Sequence, residues 1–339
     1  MTDPVPAGRR GGRTGEAATL PPYEEILTLT CRAPSIHNTQ PWFWRVTDRG
    51  LDLLADRSRR LVHADPEQRN LVLSCGAALH HLQVVAAGLG WRATVDRSQD
   101  ATEPWRLASV ALTPTTVTLR AAQRLHAVMV RQTDRRRPTD APVTPEQLAS
   151  LSGTAARWGA QATAVTDVDT IAELMRLDAE ADDIQRSDEG YLFELAAWAQ
   201  FRRHDGLRPE LIPQHRSATS PHAPGRFPEG ELLDEAPAVG RGGVTALLLV
   251  TASSDDTLSR LRAGEAMSDV WLTATEAGLS VVPMSQSIEV AVTRERIIAA
   301  LLDGRTFPQI LLTVGHLPPD RQPLPRSPRR PVGDVIVRG

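Results

Sequence analysis

The sequence predicts an α+β fold in which one chain contains two related halves. Three observations predict it. Helical and strand-like patterns alternate along most of the chain after residue 20, two long alanine-rich helical segments resemble each other at a fixed spacing, and each of these segments ends at a glycine that precedes a new strand. Two copies of one α+β unit account for all three observations.

The individual elements follow from periodicity and from residues that stop helices. Pro34 disfavours continuation of the first helix, Gly90 is placed to end the second, and Thr144 can cap another. Helices are predicted at 23–33, 70–89, 121–131, from 145, across 171–200 and at 259–277. Strands are predicted at 42–46, 51–55, 108–112, 245–252, 310–314 and 335–337.

The internal repeat is visible in the two longest helices. Gly76 and Gly264 are separated by the same 188 positions as Gly90 and Gly278, and that offset also aligns alanine with alanine and aliphatic with aliphatic residues. Small residues at such positions let two helices approach closely, so packing alone is an alternative explanation. The order of the surrounding elements favours a duplication.

Composition excludes several classes of function. The 339 residues carry a net charge of -3, which gives no electrostatic case for nucleic acid as a partner. The apolar runs predicted as strands are far too short for a bilayer, and no apolar segment follows Arg10 as in a secretion signal. We therefore expect a cytoplasmic protein that contacts neither membrane nor nucleic acid.

The 38 basic residues include no lysine. A P-loop lysine, a Schiff-base lysine and a lysine general base are therefore excluded, and anions must be held by arginine, backbone N–H groups and hydroxyls. Cys31 and Cys75 fit neither a disulfide framework nor metal-ligand spacing, and are predicted to be buried, inert thiols. The histidines also lack metal-binding spacing, and no paired-carboxylate motif is present.

The predicted organisation has four parts. Residues 1–19 form a disordered arm, 20–120 the N-terminal half, 121–316 the C-terminal half, and 317–339 an extension rich in proline and arginine. The C-terminal half contains a long stretch, 203–243, without apolar periodicity. A loop of that length within a compact chain suggests a lid.

Two polar segments could carry chemistry. The first, 34–42, places several hydrogen-bonding side chains between two prolines, where Asn38 and Gln40 can both donate and accept and Ser35 can donate. The second, 131–143, begins with several arginines and Thr133 at a predicted helix end, and can bind phosphate. Taken alone, these segments are better explained as a structural turn and a solvated charge run.

The string Pro-Ser-x-x-Asn-x-Gln-Pro-Trp at 34–42 resembles the flavin-contacting motif of the nitroreductase family. Residues 31–42 and 74–82 are similar to the Acg-type branch of actinobacterial nitroreductase-like proteins. The resemblance implies a nitroreductase-like fold around a central antiparallel or mixed sheet. Arg131, Thr133 and Arg135 fall on the family's Arg-x-Ser-x-Arg pattern, which grips the flavin phosphate and ribityl chain, with threonine in place of serine.

In the family, these two motifs come from different subunits of an intertwined dimer. Here they lie in opposite halves, so the resemblance implies a pseudo-dimer with one FMN at the seam and an empty second site. It also aligns 282–286 with a turn whose backbone N–H meets flavin N5, although Gln286 replaces glycine, and Arg329-Arg330 with a phosphate-binding arginine before proline. The resulting cofactor-binding residues are Pro34, Ser35, Ile36, Asn38, Gln40, Arg131, Gln132, Thr133, Arg135, Pro283, Met284, Ser285, Gln286, Arg329 and Arg330.

The implied activity is an NAD(P)H-dependent, FMN-binding oxidoreductase that reduces nitro or quinone-type compounds through flavin N5. NADH or NADPH would be the electron donor and a small molecule the acceptor. Hydride transfer requires no side-chain acid or base, and none is assigned. Two alternatives stay open: a non-catalytic protein that stores or sequesters flavin under the 203–243 lid, and a flavin-dependent dehydrogenase or oxidase that tailors a natural product. A monomeric pseudo-dimer or a weak homodimer is expected.

Overall fold

The computed structural model describes residues 20–136, 138–200, 204–214, 226–227, 230–232 and 246–338. The predicted arm at 1–19 and most of the predicted lid at 203–243 therefore lie outside the described residues.

In chain order, the N-terminal part consists of a helix, two strands, a long helix and two further strands. Its elements are α1 (Tyr23–Thr30), β1 (Trp42–Thr47), β2 (Gly50–Ala55), α2 (Arg69–Gly88), β3 (Trp91–Asp96) and β4 (Arg106–Pro114). The strands form a sheet of order β3-β4-β2-β1, all antiparallel. A last strand of the chain, β9 (Ile336–Arg338), extends this sheet by pairing in parallel with β1.

The C-terminal part builds a second sheet. Its elements are α3 (Leu119–Val130), α4 (Pro145–Ala155), β5 (Ala160–Val165), α5 (Val168–Arg186), α6 (Glu189–Gln200), β6 (Ala246–Ala252), α7 (Thr257–Glu276), β7 (Leu279–Met284), α8 (Gln286–Glu289), α9 (Ala291–Leu301) and β8 (Phe307–His316). The strand order is β5-β6-β8-β7, again all antiparallel. Thr144 caps α4 through a reciprocal capping box with Gln147, as the sequence predicts for the cap.

The two sheets have the same topology. When the strands are numbered along their own half of the chain, their order across each sheet is first, second, fourth, third. In both halves the long helix follows the second strand. Both α2 and α7 are 20 residues long, and their first and last residues are related by the 188-residue offset. The α+β fold with two related halves is thus confirmed. The first sheet is mixed, because β9 is parallel to β1, and the second sheet is antiparallel. The strands divide into two sheets instead of one central sheet.

The centre of the molecule is the contact between α2 and α7. Each helix packs most of its apolar residues into the core of its own half, and the two helices cross where Gly76 meets Gly264. A Cβ on Gly76 would lie 2.0 Å from the Leu261 carbonyl oxygen, and a Cβ on Gly264 would lie 2.0 Å from that of Leu73. Only glycine permits this approach, which explains the repeat's best-matched pair.

One described strand, β5, escapes the sequence prediction, and half of its residues are alanine. The new strands predicted after Gly90 and Gly278 are β3, which alternates buried and exposed residues, and β7, which contains Pro283 within the segment predicted as a turn. Among the described strands, β7 pairs only with β8 and is therefore an edge strand, where proline is tolerated. α1 ends at Thr30, before the predicted end at 33. The predicted boundary between 120 and 121 would fall inside α3 and stays a proposal.

Candidate cofactor site between the two halves

The predicted turn at 34–40 is strained and anchored to α2. His37, Asn38 and Gln40 all have positive φ angles, of 46°, 55° and 50°, a region that side-chain-bearing residues rarely adopt. Ser35 Oγ accepts a hydrogen bond from the Gln40 backbone N–H at 2.9 Å, and the Ile36 N–H donates to Ser74 Oγ at 3.1 Å. Such strain persists only where the surroundings hold it, and it is common at functional sites.

The C-terminal extension binds directly to this turn. The Asn38 amide donates to the Pro328 carbonyl at 3.0 Å and accepts from Arg329 Nη1 at 3.0 Å. The side chain of Gln40 accepts from the Arg330 backbone N–H at 2.9 Å. The structure thus brings the first and last predicted segments together, and it does so through the polar groups that the resemblance assigns to flavin.

Arg131 joins the same cluster from the end of α3. Its guanidinium lies 4.6 Å from the Trp271 ring centroid, and its Nη2 donates to the Arg32 carbonyl oxygen at 3.1 Å. Arg329 Nη2 donates to that same oxygen, also at 3.1 Å. One carbonyl group therefore links the arginines of two predicted phosphate-binding segments.

These arginines have unused donors and uncompensated charge. Arg131 is only 6% exposed, and its Nε and Nη1 are buried without a hydrogen-bond partner, as is Arg329 Nε. Within the described part of the chain, neither guanidinium forms an ion pair with a carboxylate. Burial and the neighbouring Arg329, Arg32 and Arg326 lower the pKa of Arg131 to about 9. Burying such charges is costly unless an anion pairs with them, so this arrangement suits an anionic ligand.

The remaining residues of the 131–135 segment lie nearby but make different contacts. Gln132 Nε2 donates to the Leu324 carbonyl at 3.2 Å, which ties the segment to the C-terminal extension. Thr133 is half-buried. The Arg135 guanidinium lies 5.5 Å from the Phe227 ring centroid, and burial together with Arg226 lowers its pKa to about 10.

The 283–286 segment reaches the site through one side chain. Ser285 Oγ accepts a hydrogen bond from Arg226 Nη1 at 3.2 Å. The buried Gln286 side chain points elsewhere, donating to Asp182 at 2.8 Å and to Gln185 at 3.0 Å. Its backbone N–H begins α8, where the helix itself offers no acceptor. Pro283 and Met284 complete β7.

Residues of the predicted lid contact several of these segments. Asn38 Nδ2 also donates to the Gly206 carbonyl, and Gln40 Nε2 to the His204 carbonyl. Phe227 packs edge-on against His37, with ring centroids 5.2 Å apart. Within the described residues, the loop thus lies against the turn that carries the flavin motif.

The position that the repeat relates to His81 is occupied by a different type of residue. At the 188-residue offset, Asp269 takes the place of His81. Its carboxylate forms ion pairs with Arg124 and Arg157 and accepts a hydrogen bond from Trp158 Nε1 at 2.9 Å. The arginines on that side are therefore compensated, in contrast to Arg131.

Sequence reasoning missed His37, His81 and Arg226 as residues of this site. His37 lies inside the flavin motif, and both its ring nitrogens are buried without partners. His81 is related to Asp269 by the repeat, so aligning the two copies at charged positions would have drawn attention to it. Arg226 lies in a segment without periodicity and offered no signal.

Other candidate chemistry finds no support. Both cysteines are buried free thiols, as predicted, and burial raises the pKa of Cys31 to about 11. No cluster of three or more potential metal ligands occurs among the described residues. One described helix, α2, is long and apolar enough to span a membrane by length and composition, but it is mostly buried in the core.

No model of a known protein family matches the chain. Over 92% of its length, the chain is 37% identical to a Mycobacterium tuberculosis protein named "Putative NAD(P)H nitroreductase Rv3131", 90% of which is covered. It is 33% identical to "Putative NAD(P)H nitroreductase acg" of the same organism, with 92% of this chain and 94% of that protein covered.

Two solved structures are more distant. A nitroreductase with bound FMN from Bacteroides fragilis has a TM-score of 0.38 and 13% identity, over 60% of this chain and 92% of that one. An NADPH:FMN oxidoreductase from Vibrio harveyi in complex with NAD+ has a TM-score of 0.34 and 11% identity, over 61% and 74%. These scores are too low to support an assignment, which rests on the sequence relatives. By its identity to them over nearly its whole length, the chain belongs to the Acg-type, nitroreductase-like family of oxidoreductases.

Proposed function

We propose that the protein binds one FMN at the seam between its halves and uses it as an NAD(P)H-dependent oxidoreductase. The acceptor would be a nitro or quinone-type small molecule. In this proposal the chain acts in the cytoplasm as a monomeric pseudo-dimer. The proposal also keeps the residue assignments made from the flavin motifs.

One observation carries the proposal. Three buried donors, Arg131 Nε, Arg131 Nη1 and Arg329 Nε, have no hydrogen-bond partner, and both charges are uncompensated in the described residues, at the place where two motif segments meet. A phosphate group would supply both the acceptors and the negative charge that this cluster needs. The names of the two mycobacterial relatives support the redox activity.

The residues present fit the cofactor. Arg131 and Arg329 would hold its phosphate, and Ser35, whose Oγ already accepts from Gln40, still has a hydroxyl hydrogen to donate. The first-turn N–H of Gln286 is a candidate donor toward the ring. When bound, FMN supplies the hydride-transfer chemistry, while the protein supplies position and charge.

The decisive experiment is an anaerobic titration. The purified protein is reconstituted with FMN, unbound flavin is removed, and absorbance is followed as NADH or NADPH is added. Bleaching by either nucleotide, followed by reoxidation with a nitroaromatic or quinone, is the expected result. A protein that retains no FMN after reconstitution would overturn the proposal.

A second candidate function is flavin storage. The carbonyl groups of His204 and Gly206 and the ring of Phe227 lie against the motif turn, where they could exclude a nicotinamide. Tight FMN binding without bleaching by either nucleotide would favour storage. Bleaching by an organic substrate alone would favour a tailoring dehydrogenase or oxidase.

A further inference from the structure

A chain of buried polar side chains crosses the contact between α2 and α7. His80 Nδ1 lies 2.8 Å from Ser268 Oγ, and the same oxygen lies 2.9 Å from His81 Nδ1. All three side chains are at most 3% exposed. At its far end, His80 Nε2 faces Asp269 Oδ1 at 3.8 Å. The chain thus runs from the compensated Asp269 toward the uncompensated arginines.

The hydrogen positions in this chain follow from the contacts at its two ends. His81 Nδ1 also lies 3.1 Å from the Ala77 carbonyl oxygen, which can only accept, so Nδ1 must carry a hydrogen. At the other end, His80 Nε2 faces the Asp269 carboxylate, so the neutral His80 ring carries its hydrogen on Nε2. Ser268 then accepts from His81 and donates to His80 Nδ1. In the neutral His81 ring, Nε2 is therefore a bare acceptor.

His81 Nε2 is buried and has no hydrogen-bond partner. The ring stays neutral, because burial and the nearby charges of Arg131 and Arg329 hold its pKa well below the ordinary value. One site thus combines unpartnered guanidinium donors with one unpartnered acceptor. A ligand that matches both needs an anionic group for the arginines and a hydroxyl for the imidazole.

We propose that His81 Nε2 accepts a hydrogen bond from a hydroxyl group of the polyol chain of the bound ligand. The site would then recognise a polyol phosphate, with Arg131 and Arg329 on the phosphate and His81 on the chain. Ser268 and His80 act as positioning residues that keep the His81 hydrogen on Nδ1. This inference rests on the proposed function and assigns a role within it to a residue outside the flavin motifs.

Three flavins separate the contributions. FMN carries phosphate and ribityl chain, riboflavin lacks the phosphate, and lumichrome lacks both. Dissociation constants are measured by fluorescence for the wild type and for His81→Asn, whose amide can replace Nδ1–H but not Nε2. Loss of one buried hydrogen bond should weaken FMN and riboflavin by about tenfold each and leave lumichrome within about twofold.

Further variants give the controls. His126→Asn makes the same change at an exposed residue of α3 and should alter none of the three constants. Arg131→Met should weaken FMN and spare riboflavin. His81→Gln, whose amide oxygen can replace Nε2, should recover part of the ribityl-dependent affinity. Ser268→Ala, which removes one of the two acceptors that hold the hydrogen on His81 Nδ1, should weaken FMN and riboflavin by a smaller factor than His81→Asn.

Failure of the proposed function and failure of the His81 inference give different results. A wild type that binds none of the flavins overturns the proposed function and this inference with it. A wild type that binds FMN, while His81→Asn binds all three flavins unchanged, overturns the inference alone. Equal weakening of lumichrome and riboflavin also overturns it, because His81 would then act through the ring site or the fold.

Discussion

Arg124 and Arg131 are both buried, but their charges are balanced differently. Arg124, within α3, pairs with Asp269 and Glu276. Arg131, just after α3, contacts a carbonyl oxygen and an indole ring but no carboxylate in the described structure. Removing one partner of a buried ion pair leaves the other charge uncompensated, whereas a buried charge that has no partner is already maintained at a cost in free energy. A buried charge that lowers the stability of the fold and supports no structural contact in return indicates a residue that is kept for binding.

Replacing each arginine with methionine should therefore change stability in opposite directions. Arg131→Met should raise the free energy of unfolding of the FMN-free protein by about 1 kcal/mol, because a buried unpaired charge is removed. Arg124→Met should lower it by about 2 kcal/mol, because Asp269 loses its buried partner while the exposed Arg157 remains. Urea unfolding measures both. Destabilisation by both changes would show that Arg131 is a structural residue.

Asp65 makes stability depend on pH. Its carboxylate accepts the N–H groups of Asn70 and Leu71 at the start of α2, yet burial raises its pKa to about 7. The folded protein therefore binds this proton more tightly than the unfolded chain. The resulting stabilisation is complete below the unfolded pKa, near 4, and is lost as the pH rises through about 7.

The variant Asp65→Asn cannot take part in this titration. Going from pH 5 to pH 7.5, wild type should lose on the order of 2 kcal/mol relative to the variant. Urea unfolding of both proteins at the two pH values measures the difference, and other titrating groups cancel in the comparison. Parallel pH curves would show that Asp65 is not the titrating group.

At the residue scale, sequence reasoning found the segments but not their contacts. Asn38 and Gln40 were recognisable from the motif, yet their bonds to 328–330 and to 204–206 depend on loops brought together from distant parts of the chain. His81 lies within a segment quoted for the family resemblance, but its role depends on Ser268, which is remote in sequence. Pairings of this kind are set by the packing of the two halves, which local patterns do not encode.

At the scale of elements, the long helices were the most predictable and the weak strands the least. α2 and α7 are long, are rich in helix-forming alanine and leucine, and end before Gly90 and Gly278, both at positive φ. Half of the β5 residues are alanine, which is depleted in strands, and β7 contains a proline. These strands form because neighbouring strands supply the ladder, which is a tertiary effect.

The crossing of α2 and α7 gives a test at this scale. Gly76→Ala would place a methyl group 2.0 Å from the Leu261 carbonyl and 2.9 Å from the Gly264 Cα, both backbone atoms of α7. The helices would have to separate, and we expect a loss of at least about 3 kcal/mol in the free energy of unfolding. Thermal and urea unfolding measure it.

The matched control is Gly153→Ala in α4, where an added Cβ meets nothing within 4 Å. That change should stabilise the protein by about 0.5–1 kcal/mol through helix propensity. Similar effects of the two substitutions would mean that the helix crossing tolerates a wider separation than the structure indicates.

At the scale of the whole molecule, the duplicated unit has been made asymmetric. The C-terminal extension adds β9 to one sheet only and brings Arg329 and Arg330 to that half's turn. Asp269 stands where the repeat would place a second His81, and its carboxylate pairs with Arg124 and Arg157. The 188-residue offset predicted the duplication, whereas the loss of equivalence depends on side chains that the offset does not align.

This asymmetry predicts one FMN per chain. On the Asp269 side, Asp269 and Glu276 already neutralise Arg124, so a phosphate would meet carboxylates there instead of unpaired guanidinium groups. After reconstitution and removal of unbound flavin, absorbance at the flavin band and protein quantification give the stoichiometry. We expect one FMN per chain for the wild type, and none for Arg131→Met at micromolar concentrations. Two flavins per wild-type chain, or one retained by Arg131→Met, would place the phosphate site elsewhere.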